Sequence, residues 1–150
     1  MNYLVVIILA AASVALSAVL FCEDAQGAGG PITVLTTAET LAIWSFPLTL
    51  SSGNGKAVIR GWMDLNVGAG TTAITITIYR GNAIGGTVIG QKNPEAGDFT
   101  PGSTAHFEVE FIDLLNNVGG AQYCMSVTQT GATGNGTILD ALINTTLLSG

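Results

Sequence analysis

From residue 32 onward, apolar and polar side chains alternate in short runs broken by glycine-rich turns. The run AITITIYR (73–80) puts Ile74, Ile76 and Ile78 on one face and Thr75, Thr77 and Tyr79 on the other. That is the period-two signature of a half-buried strand. KAVIRGWMDLNV (56–67) sets Ala57, Ile59, Met63, Leu65 and Val67 against Arg60, Trp62, Asp64 and Asn66. In AHFEVEFI (105–112), Phe107, Val109 and Phe111 face inward, with His106, Glu108 and Glu110 outward. AQYCMSVTQT (121–130) places Tyr123, Met125 and Val127 on one side. ITVLT (32–36), TLAIWSFPLTL (40–50, bent at Pro47), GGTVIGQ (85–91) and TILDALINTTLL (137–148) complete the set. In the last run, Ile143, Thr145 and Thr146 favour strand over helix. SSGNGK (51–56), GAGTT (68–72), KNPEAGDFTPGS (92–103), LLNNVGG (114–120) and GATGNG (131–136) read as the connections. No helical crossover separates the strands, so the sheets are expected to be antiparallel. The pattern predicts an all-β, eight-stranded antiparallel jelly-roll sandwich. An immunoglobulin-type sandwich would carry a Cys–Trp–Cys core pattern, which is missing.

The first residues break this pattern. Residues 3–22, YLVVIILAAASVALSAVLFC, carry no charge. As a helix they would rise about 30 Å, the thickness of a bilayer's hydrocarbon core. No Lys or Arg precedes the run, and Glu23 and Asp24 follow it with no small-x-small cleavage site between. Residues 1–24 therefore read as one N-terminal transmembrane helix kept as an anchor, with removal as a signal peptide the alternative. AQGAGG (25–30) predicts a flexible linker over 25–31, leaving 32–150 as the β domain.

Charge narrows the function classes. Net charge is −6, and Lys56, Arg60, Arg80 and Lys92 are the only cations. They cannot supply the phosphate-neutralising field that nucleic-acid binding needs. Cys22 and Cys124 do not make a disulfide framework and read as small apolar fillers. His106 is the only histidine and falls at a solvent-facing strand position beside Glu108, the pattern of a surface residue. Glu95, Asp98, Glu108, Glu110, Asp113 and Asp140 read as the charges that keep an apolar domain in solution. No nucleophile motif, phosphate loop or ligand spacing is present, so no catalytic, metal or cofactor residue is assigned. Asn135-Gly136-Thr137 and Asn144-Thr145-Thr146 match the N-glycosylation pattern. The outward strand faces carry Thr, Ser, Gln and Asn where a free monomer would place Lys and Glu. A surface of that kind suits burial against protein neighbours. Arg60, Trp62 and Tyr79 are the candidate binding platform on an outward face.

GTTAITITIYRG (70–81), GGTVIG (85–90) and GGAQYCMSVTQTGATGNGTI (119–138) resemble the compact jelly-roll modules of viral surface and minor capsid proteins. Some of these have a tumour-necrosis-factor-like shape and form trimers. Joined to an N-terminal membrane segment, the chain looks like a minor structural protein of a tailless icosahedral virus with an internal membrane. The resemblance implies a non-enzymatic virion or spike component. It would be anchored in the bilayer through residues 3–22 and pack against copies of itself, in a trimer, and other capsid proteins. The residues also fit a secreted or cell-surface β-sandwich that binds glycan or protein, or a pilus subunit whose signal is cleaved.

Overall fold

The computed structural model describes residues 21–26, 31–49, 54–116 and 120–149. The apolar segment up to residue 20 and residues 27–30 lie outside the described residues. The described chain is all strand and connection. The elements are β1 (Phe21–Gln26), β2 (Ile32–Val34), β3 (Thr40–Trp44), β4 (Leu48–Thr49), β5 (Asn54–Asn66), β6 (Ala73–Arg80), β7 (Thr87–Lys92), β8 (Thr104–Asn116), β9 (Gly120–Ala121), β10 (Tyr123–Thr130) and β11 (Gly136–Ser149).

These strands form two antiparallel sheets. One has five strands in the order β1-β11-β5-β8, with β2 also on β11; the other has four, in the order β3-β10-β6-β7. A short pair, β4 with β9, stands apart. The chain passes from one main sheet to the other between β2 and β3, β3 and β5, β5 and β6, β7 and β8, β8 and β10, and β10 and β11, the strand order of a jelly roll. Expectation and structure differ in strand number, since the two main sheets hold nine strands where eight were expected. The additions come from backbone pairing that leaves no trace in side-chain pattern. FCEDAQ in β1 has no alternation, yet it runs along β11 from Phe21↔Leu147 to Gln26↔Leu142. Residues 21–24, read as the end of the transmembrane helix, and Ala25 and Gln26, read as linker, therefore belong to a strand. β8 also continues to Asn116, past the point where LLNN reads as a connection.

The core lies between the sheets and follows the alternation. Ala57, Ile59, Met63 and Leu65 of β5 face Ile74, Ile76 and Ile78 of β6 and Met125 and Val127 of β10, all buried. The sheets interlock at Gly61: a methyl group placed there would lie 3.1 Å from Met125 Sδ and 3.3 Å from Val109 Cγ2. Met125 thus fills the space over a strand that has no side chain at that point. Gly90 of β7 plays the same part for Phe111 of β8, whose ring occupies the place of the missing side chain. Thr145 also points into this core, fully buried, and its hydroxyl has no hydrogen-bond partner. A buried unpaired hydroxyl costs about 1–3 kcal/mol. Thr145→Val, which keeps the shape and removes the polar atom, is expected to raise stability by about 1 kcal/mol in urea denaturation.

The register also defines two ends of the sandwich. The end where β1 begins holds Leu147 of β11, Ala57 of β5, Asp113 of β8, Arg80 of β6 and Tyr123 of β10; we term it the proximal end. The distal end carries the connections 67–72, 93–103 and 131–135. There Gly70 and Gly131 take positive φ values of 75° and 74°, which a side chain would strain.

Candidate functional site

The outer face of the five-stranded sheet is a ladder of cross-strand rows, each taking one residue from β11, β5 and β8. From the distal end the rows are Asp140–Asp64–His106, Leu142–Trp62–Glu108, Asn144–Arg60–Glu110, Thr146–Val58–Ile112 and Leu148–Lys56–Leu114. The face changes from acidic to amphipathic to apolar along its length. The strands that carry it are long enough for this because β5, β8 and β11 run 13, 13 and 14 residues.

The middle rows enclose an open groove of about 370 Å³, lined by Arg60, Trp62, Glu108, Glu110, Leu142 and Asn144. Arg60 Nε donates to Glu110 Oε2 at 2.6 Å across the β5–β8 pair. Both side chains are exposed, so this ion pair shapes the groove more than it stabilises the fold. Trp62 is half-buried, and its ring lies 5.7 Å from that of His106 at a tilt of 32°. Arg60 and Trp62, paired as candidates from sequence, meet in one groove. Tyr79, the third candidate, belongs to the other sheet and faces away from them. Its hydroxyl lies 2.9 and 3.0 Å from the two carboxylate oxygens of Glu39, to which it donates. The three do not form a single platform, because the outward faces of β5 and β6 lie on opposite sides of the sandwich. Alternation shows that residues face outward but not toward which side.

The Glu39 carboxylate also accepts from the Ser126 hydroxyl. Thr77, Tyr79, Cys124 and Ser126 are buried on the outside of the four-stranded sheet, the side to which alternation assigned Thr77 and Tyr79. Cys124 is a free thiol here. Burial, reinforced by the nearby Glu39 charge, pushes its pKa up to about 11. It is therefore a packing residue with little thiolate at neutral pH.

His106 is exposed, as its strand position predicts. Its Nδ1 lies 2.7 Å from Asp64 Oδ1 and its Nε2 3.5 Å from Glu108 Oε1. The hydrogen bond to Asp64 raises its pKa above the ordinary value, against a smaller desolvation effect. A raised folded-state pKa means that the stabilising contribution is fully present below the unfolded value, about 6.5, and lost as pH rises through the folded one. The stability advantage of the parent over His106→Gln, from denaturation midpoints, is expected to be larger at about pH 5.5 than at about pH 8.5.

Sequence reasoning missed a polar cluster at the proximal end. Asp113, read as a solubilising charge, is buried between the sheets. Arg80 Nε donates to its Oδ2 at 2.7 Å, and Arg80 Nη2 donates to Oδ1. Tyr123 Oη donates to Oδ2 at 2.8 Å. Burial, then this hydrogen bond, raises the Tyr123 pKa, while Asp113 raises that of Arg80. The detectable signal was that Arg80 and Asp113 occupy inward positions of their strands. Among the described residues, no group of three or more His, Cys, Asp and Glu side chains could hold a metal ion. The described residues also contain no helix long and apolar enough to cross a membrane.

No protein-family model and no curated protein sequence matches the chain. Solved structures do. The VP2 chain of the infectious bursal disease virus subviral particle aligns with a TM-score of 0.57 at 10% identity, over 85% of this chain and 32% of its own length. The infectious bursal disease virus T13 particle gives a TM-score of 0.53 at 10% identity, over 85% and 31%. Eiger TNF from S. frugiperda gives 0.55 at 12% identity, over 87% of this chain and 94% of that one. The chain thus spans about a third of the viral chains and nearly all of the TNF chain. At these identities the likeness concerns the fold: a β-sandwich of the kind found in a viral capsid protein and in TNF.

Proposed function

We propose that this protein is a non-enzymatic structural subunit. In this reading the apolar residues 3–20, which precede β1, anchor it in a bilayer, and the jelly roll packs against other copies, as a trimer, and against other capsid or surface proteins. It would thereby link a virion shell to the membrane inside it. The observation that carries the reading is the jelly-roll strand order of the two main sheets, and the fold likeness to the VP2 chain of a viral subviral particle supports it. The outward positions of β6 and β10 support it: Thr75, Thr77, Tyr79, Cys124, Ser126 and Thr128 carry no charge there, and a face of that kind suits burial against neighbours. The test is to express the full chain, isolate membranes, wash them at alkaline pH, and measure intact mass and cross-linked species. The expected result is a membrane-retained chain with its N-terminal segment, cross-linking to trimers. A soluble monomer lacking residues 1–24 would overturn it.

A second reading is favoured by the groove. Trp62 offers an aromatic wall, and Arg60, Glu110 and Asn144 offer polar groups beside it, the composition of a small-molecule or glycan site. Trp62-dependent retention on a glycan array, lost in Trp62→Ala, would establish it. Binding unchanged by that substitution would remove it.

A further inference from the structure

Among the described residues, Trp44, Phe46, Ile84, Val88, Ile112 and Leu114 are large apolar side chains that stay exposed. The register gathers all six at the proximal end. Ile112 and Leu114 lie opposite Val58 and Lys56 on β5. Trp44 lies opposite Cys124, and Val88 opposite Tyr79. Phe46 and Ile84 sit in the adjoining β3–β4 and β6–β7 connections. Leu35 and Leu139 are also exposed but lie away from this end.

Charge runs the other way. Asp64, Asp140 and His106 form the distal row of the five-stranded sheet, and Glu95 and Asp98 lie in the distal connection 93–103. At the proximal end Arg80 and Asp113 neutralise each other, and exposed Lys56 adds a cation. β1 begins at this same end, where Phe21 pairs with Leu147, and the uncharged residues 3–20 immediately precede it in sequence.

We infer that the proximal end of the sandwich rests on a lipid surface, with Trp44, Phe46, Ile112 and Leu114 entering the headgroup region and Lys56 meeting its phosphates. This rests on the anchored reading above. The six side chains come from both sheets and from the connections between strands, so they ring the end of the sandwich and do not cover one of its faces. A ring of that kind fits a plane, whereas a second sandwich would pack on a face. Tryptophan is enriched at the interface because its ring is apolar while its N–H needs a polar partner. A lysine adjoining the apolar ring suits anionic headgroups.

The chain has two tryptophans, one at the proximal end and one in the groove. The full chain would be reconstituted in phosphatidylcholine vesicles with brominated acyl chains, as Trp62→Phe and as Trp44→Phe. Bromolipid is expected to remove most of the emission of Trp44 and to leave that of Trp62 nearly unchanged. The unsubstituted chain, as a check free of substitution, should lose only the Trp44 share. Three results overturn the inference. Vesicle-bound protein whose Trp44 is unquenched refutes the contact while sparing the anchor. Equal quenching of both tryptophans refutes the orientation. Protein that does not associate with vesicles refutes the anchored reading, and this inference with it.

Discussion

Asp113→Ala is expected to destabilise the fold by about 3 kcal/mol, among the largest effects of any single substitution here. Removing one partner of a buried ion pair costs about 3–5 kcal/mol because the other charge is left uncompensated. The lower end applies because the Arg80 side chain keeps 28% of its exposure and can be partly hydrated, whereas Asp113 keeps 6%. The Tyr123 hydroxyl loses its acceptor in the same step. The measurement is urea denaturation of parent, Asp113→Ala and the double variant Arg80→Met/Asp113→Leu. The double variant should recover much of the loss, since apolar residues of similar volume need no partner. A loss under about 1 kcal/mol in the single variant would show that the cluster is solvated and does not tie the sheets together.

Met125→Ala should cost about as much, again about 3 kcal/mol, for a different reason. Met125 is buried and fills the space over Gly61 on the opposite sheet. Truncation leaves a void lined by two sheets whose backbones are held by ladder hydrogen bonds, so it cannot collapse, and such cavities cost about 2–5 kcal/mol. Gly61→Ala alone should be mildly destabilising, because its methyl would also lie 3.3 Å from the Leu142 carbonyl oxygen. Placed in Met125→Ala, the same change fills part of the void and should cost less than it does alone. Denaturation of the four chains yields that difference as a coupling energy. Independent, additive effects would mean that the two residues do not meet across the core.

Much of the fold was legible because alternation reports burial directly. Ile76 and Val109 were expected inside, Ile59, Met63 and Leu65 on one face and Met125 and Val127 on one side, and all seven are buried. The antiparallel two-sheet arrangement follows from the same pattern and from glycine-rich turns in place of helices. β1 was not legible, since an edge strand held by backbone pairing needs no particular side chains. Thr77 and Tyr79 face outward as alternation placed them, yet both are buried; partners remote in the chain meet them there, Glu39 accepting from Tyr79 and Gln91 donating to Thr77. The candidate site was half legible: Arg60 and Trp62 are two residues apart on one strand face, so they must be neighbours. Tyr79 lies on another strand, and nothing local says which side of the sandwich that strand presents.

The amino-acid sequence on its own determined the class of structure, an all-β sandwich with little charge behind an uncharged N-terminal segment, because period and composition act over a few residues at a time. Only the tertiary structure decided which residues share an end. Phe46, Ile84, Ile112 and Leu114 are scattered along the chain and look unremarked in it, while the distal acids are scattered likewise. They separate into an apolar end and an acidic end because strand register, set by backbone hydrogen bonds between segments far apart in the chain, fixes the level of every residue along the sandwich at once.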